Sequence, residues 1–235
     1  MRNSFRTVTF RSFGLLVLLT ASCQAQPQDA KTPYPSMAPL DQYLMERNAE
    51  ITLARSAAAR SVSGGAEVMV LGKHGYETAF RGTNGFVCIV QRSWAAGFDD
   101  PEFWNPKLRA PICFNPAGAR SYLPLIIKKT DLVLAGRSLA QMLEAISAAV
   151  NKKELPGMEP GAMGYMLSKQ GYLSDHDGHW HPHLMIFAPL TDPVAWGAGL
   201  PGSPIIGFKD DPSRLTVFLI PVRKWSDGTA DLAGN

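Results

Sequence analysis

The sequence predicts a single α+β domain. An antiparallel sheet of about six or seven strands carries two main helices on one face, in the order helix, strands, helix, strands. Three observations predict this. Short β-branched and aromatic runs, bounded by Gly, Pro, Asn and Asp, recur in two separate blocks. Each block follows a stretch with apolar residues at helical spacing. Hydrophobic residues make up 46% and charged residues 18%, the balance of an ordinary globular domain able to bury a full core.

The elements follow in order. A helix is expected from about Asp41 to Arg60, because Leu40, Leu44, Ile51 and Ala54/Ala58 recur near helical spacing and "LARSAAAR" has high helix propensity. Three strands then form a meander: "AEVMVLG", "YETAFRG" and "GFVCIVQ", the last opening after the turn dipeptide Asn84-Gly85. Residues 93–137 are rich in proline and aromatics and read as a long, ordered crossing segment, with a short helical turn at Asp100-Pro101. Such a segment is uncommon unless it has a role. Ser138 and Gln141 make a capping box for a helix running to Lys152. "AMGYMLS", "HPHLMIFAP", "SPIIGFK" and "RLTVFLIPV" are the closing strands, with a one-turn helix at "DPVAWG".

This order of elements resembles the general plan of PAS, GAF and profilin-like domains. None of those families' motifs is present, and topology alone carries no ligand-sensing function across.

Residues outside the domain speak to location. Arg2, Arg6 and Arg11 precede a short apolar run and the small residues "TAS", the pattern of a secretory signal peptide over residues 1–22. "LTASC" resembles a bacterial lipobox, with cleavage before Cys23 and lipid on that cysteine; ordinary cleavage after Ala25 is the alternative. A lipid anchor would hold the protein at the membrane by chain burial. Residues 23–39 read as a disordered tether, 40–225 as the domain and 226–235 as a loose tail. The expected location is the bacterial cell envelope or periplasm.

The full chain carries +3, but its three leader arginines leave 20 basic residues against 20 acidic ones. No positive field remains to draw nucleic acid. Outside the cytoplasm Cys88 and Cys113 could pair; the alternative is two buried thiols.

Four of the five histidines lie in "DHDGHWHPHLMIF", residues 175–187. On a strand, His179, His181 and His183 share a face and could hold a divalent transition metal such as Zn or Cu, with Asp177 or the distant His74 completing the set. The spacing matches no metalloenzyme signature, and a solvated polar hairpin is the favoured reading. Trp94, Phe98, Phe103 and Trp104, with Arg92 and Arg109, could line a small-molecule cleft or simply cover one end of the sheet. No nucleophile elbow, Ser-x-x-Lys or Walker loop occurs. The sequence therefore leans away from an enzyme, toward an exported, lipid-anchored protein that binds a small ligand, a metal or an envelope partner. A metal-dependent, hydrolase-like envelope enzyme is the alternative.

Overall fold

The computed structural model describes residues 33–176 and 180–232. The expected signal peptide, Cys23 and the expected Asp177-Gly178 turn lie outside them. The fold is mixed α+β, with one eight-stranded sheet and five α-helices. Among the described residues no helix is long and apolar enough to cross a membrane.

The strands are β1 (Glu67–Gly72), β2 (Gly75–Phe80), β3 (Val87–Gln91), β4 (Ala110–Phe114), β5 (Met163–Met166), β6 (His183–Pro189), β7 (Ile206–Asp210) and β8 (Leu215–Pro221). Their order across the sheet is β2-β1-β3-β4-β5-β6-β8-β7. The expected meander of the first three strands does not form. β3 joins the far side of β1, and in parallel. Burial explains the exchange: β3 is buried at four of its five residues, whereas the middle of β2 is exposed and suits an edge.

The expected helix over 41–60 is broken. A single 3-10 turn covers Leu40–Gln42, then come α1 (Arg47–Arg55) and α2 (Arg60–Ser63). α1 starts late because the Glu46 carboxylate caps it, accepting the N–H groups of Asn48 and Ala49 at 2.9 and 2.7 Å. It stops early because the Ala57 carbonyl accepts the N–H of Leu167, just beyond β5, at 2.9 Å.

The crossing segment holds three elements that its prolines conceal: β4, α3 (Pro116–Ser121) and α4 (Leu123–Leu134). β4 is an inner strand containing Pro111. The β4–β5 ladder covers Cys113 and Phe114 and resumes only at the Arg109–Tyr172 bridge, so the residue without an N–H sits where the ladder is open. α3 and α4 carry proline in their first turns, where the missing N–H costs no helical bond. α5 (Leu139–Asn151) has the full capping box: Gln141 N–H donates to Ser138 Oγ at 3.3 Å and Ser138 N–H to Gln141 Oε1 at 3.0 Å.

Helices cover both faces, not one. Cys88 and Val90 of β3 pack with Ala54 of α1. Ile89, between them, packs on the other side with Leu125 and Ile126 of α4 and Ile146 of α5. Cys88 and Cys113 stand directly opposite on β3 and β4 and form a disulfide on the α1 face.

Residues near both ends of the described chain make contacts. Tyr34 donates its hydroxyl hydrogen to Asp175, and Met37 and Ala38 pack on the cluster around Trp94. At the other end Trp225 is buried, Lys224 bridges Ala230, and Ser226 N–H donates to the Leu167 carbonyl at 2.9 Å.

One ion pair is wholly inside. Arg92 Nη2 lies 2.9 Å from Glu50 Oε2, with the two side chains 0% and 1% exposed. Arg92 Nε also donates to the Tyr43 carbonyl at 2.6 Å, and Glu50 Oε1 accepts the Leu71 N–H at 3.0 Å. Glu50→Ala strands a buried cation and should cost about 3–5 kcal/mol in urea unfolding; a loss under 1 kcal/mol would show the pair to be dispensable. Replacing both Cys88 and Cys113 by Ala opens a bridge of sequence separation 25. By chain entropy this should cost about 3.5 kcal/mol. Equal denaturation midpoints for the variant and the unreduced parent would exclude a constraining bridge.

Candidate functional site

β6 alternates. His183, Met185 and Phe187 face the side of the sheet that carries α4, opposite Met166 and Gly164 of β5 and Leu219 and Val217 of β8. On that face a groove of about 560 Å³ lies between residues 91–101 and the strands β6, β8 and β7. Its walls are mostly apolar, including Leu108, Met166, Met185, Phe208 and Leu219. Tyr122, whose ring stacks on Phe187 at 3.7 Å, closes one side. The size suits a small organic ligand.

A few polar groups converge there. His183 is 7% exposed, and its Nδ1 lies 2.8 Å from the His181 carbonyl. A carbonyl only accepts, so Nδ1 carries the hydrogen and Nε2 of the neutral ring keeps its lone pair. Burial holds the His183 pKa below the ordinary histidine value, with the His181 hydrogen bond only partly offsetting it. Ser93 is fully buried in the groove wall, and its Oγ has no hydrogen-bond partner among the described residues. A buried hydroxyl left unmet is costly and calls for an explanation.

The rim is acidic. Asp99, Asp100 and Asp210 line it against one exposed cation, Lys209, and burial raises the Asp100 carboxyl above its usual value. Beneath it Lys129, 1% exposed, donates from Nζ to the Ala96 carbonyl at 2.9 Å and sits 3.9 Å from Asp210 Oδ2. Burial lowers the pKa of this ammonium, and Asp210 opposes the shift. Lys129 thus fastens the roof of the groove to its floor.

The roof also holds the start of the histidine stretch. Glu102, buried at 4% exposure, accepts the Ser174 hydroxyl at 2.8 Å, the Asp175 N–H at 2.9 Å and an Asn105 amide hydrogen at 2.8 Å. Asp175 itself accepts the hydroxyls of Tyr34 and Tyr172, with Lys107 nearby, and these bonds pull its pKa down to about 2.

Of the residues expected to bind metal, His181 and His183 are described, and their rings turn to different partners. Asp177 and His179 lie outside the described residues. His181 turns its Nδ1 to Asp231 at 2.6 Å, while His183 faces the groove. His176 is exposed beside Glu102, and His74 lies at the β1–β2 turn, beyond β5, β4 and β3 from β6. Among the described residues no three His, Cys, Asp or Glu side chains gather to hold a metal ion. The crossing-segment aromatics mostly cover the sheet: Trp94, Phe103 and Trp104 are buried in one cluster. Arg92 is committed to Glu50, and Arg109 donates to the carbonyls of Pro106, Leu108 and Gln42. Sequence reasoning passed over Ser93, Glu102, Lys129 and Asp210. The only signal for the first three was that a long proline-rich segment should have a purpose, and none marked Asp210.

The depressed His183 pKa fixes a sign. Between the folded and unfolded values the unfolded chain binds the extra proton, so this contribution is full above about pH 6.5 and is lost as pH falls below it. His183→Phe should remove that part of the slope when urea midpoints are compared from pH 7.5 to 5. An identical slope in both proteins would assign the pH dependence elsewhere.

No known protein family, curated protein or solved structure matches this chain, so the reading of the site rests on its own geometry.

Proposed function

We propose that this is an exported, lipid-anchored envelope protein that binds a small, largely apolar molecule in the groove between residues 91–101 and β6, β8 and β7. The observation that carries the reading is the fully buried Ser93 hydroxyl, left without a partner in the wall of a 560 Å³ groove that His183 also lines. A ligand with one hydrogen-bonding end would meet His183 in the wall, and Ser93 Oγ, which is closed off from solvent, once that side chain turns toward the groove. His183 Nε2 accepts a hydrogen and Asp99, Asp100 and Asp210 make the rim negative, so the favoured polar end is a donor: an amine or an alcohol rather than an acid. Export is supported by the leader pattern of residues 1–22 and by a cysteine pair aligned for oxidation. Binding without chemistry is favoured because Ser93 Oγ makes no hydrogen bond to His183, the contact that would activate it as a nucleophile.

Thermal denaturation with phenylalkylamines and matched phenylalkanoic acids tests this. An amine at a hundredfold its Kd should add about 2.7 kcal/mol, a rise in Tm of about 5–10 °C for a domain of this size. The matched acid should do far less. His183→Phe and Ser93→Ala should each shrink the shift. Equal shifts with the acids, or none with any amine, would count against the assignment. One equivalent of Zn or Cu in protein isolated from its host, lost with His183→Phe, would favour the metal-dependent alternative.

A further inference from the structure

A second cavity, of about 530 Å³, lies away from the groove, between the end of α5, the loop that follows it, the α3–α4 junction and the β7–β8 turn. Its walls are apolar at Leu125, Val150, Leu155 and Met158. They include two cations, Lys153 and Arg214, and no carboxylate. Neither cation has an ion-pair partner among the described residues.

The backbone at these two positions is unusual. Lys153 has φ 59° and Arg214 has φ 52°, and they are the only non-glycine residues with positive φ among the described residues. Local structure favours glycine at both. Lys153 N–H donates to the Val150 carbonyl at 3.1 Å and Glu154 N–H to the Ala149 carbonyl at 2.9 Å. That is the Schellman end of a helix, with Lys153 at the position glycine usually fills. Arg214 N–H donates to the Asp211 carbonyl at 3.1 Å, and Arg214 then leads into β8 as the left-handed residue closing a hairpin turn. Two strained positions on separate elements thus both carry a long cationic side chain, and both border one cavity. Strain kept in this way points to a site. Ser213, beside Arg214 in the same wall, is 8% exposed, and its Oγ has no partner among the described residues.

We infer that this cavity binds an anionic amphiphile. Its oxyanion head, a carboxylate or a phosphate ester, is held by Arg214, Lys153 and the Ser213 hydroxyl, and its apolar body lies against Leu125, Val150, Leu155 and Met158. The guanidinium suits a two-oxygen head, and the free hydroxyl supplies a third donor. The site shares no lining residue with the groove, so it stands or falls independently of the proposed amine ligand.

Calorimetric titration of the full chain with octanoate, octylammonium and inorganic phosphate tests the inference. Octanoate should bind, and octylammonium should not compete with it at this site. Arg214→Gly and Lys153→Gly remove a cation and also relieve the left-handed backbone. Each should therefore keep or raise Tm while weakening octanoate at least tenfold, and Ser213→Ala should weaken it less. The inference is overturned if octanoate does not bind, or if both glycine variants bind it as the parent does. Phosphate bound as tightly as octanoate would overturn the role of the apolar wall.

Discussion

The buried pair Arg92–Glu50 is the constraint on which the rest of the structure depends. Two charges removed from water are costly unless their hydrogen-bonding capacity is met inside. Here α1 supplies the carboxylate, the end of β3 supplies the guanidinium, the turn at 40–43 supplies a carbonyl and β1 supplies an N–H. Four parts of the chain must therefore arrive together. The pair fixes the point where the chain leaves β3, and the next residues form the roof of the groove. Trp94 follows directly, fully buried, with Nε1 donating to Thr130 Oγ1 of α4 at 3.0 Å and its ring tilted against Tyr43. Lys129, one residue before Thr130, then takes the Ala96 carbonyl.

The groove is a consequence of this pinning. Residues 92–96 are held to α4, and Glu102 binds the backbone at the start of the histidine stretch, and the groove lies between this segment and β6, β8 and β7. A well-packed interior leaves few such spaces. A buried hydroxyl without a partner among the described residues lies in the groove's wall, and the proposed binding rests on it. The second cavity carries its own signature, two cations on backbone that would be more relaxed with glycine.

The sequence was informative where local rules decide. The capping box of α5, the one-turn helix after Asp192 and the β7–β8 hairpin all follow from short-range chemistry. It misled where proline reads as a breaker but is placed harmlessly. Pro111 falls in an open stretch of the ladder and Pro124 in the first turn of α4. Neither position can be recognised without knowing the partner strand or the helix start. His183 could be chosen from sequence because imidazole is chemically conspicuous. Its role as a groove-lining residue could not, because Ser93 and Asp210 reach it from distant parts of the chain. Lys153 and Arg214 look like ordinary surface charges until their backbone angles are known.

The central claim is that the groove over β6 holds a small molecule. Native mass spectrometry of the protein isolated gently from its own host tests it most directly, set beside a Met185→Trp variant that fills the groove. The account predicts one bound organic molecule of defined mass on the parent protein and none on the variant. The same adduct on both proteins, or an unliganded parent that also rejects every amine and alcohol supplied, would contradict it.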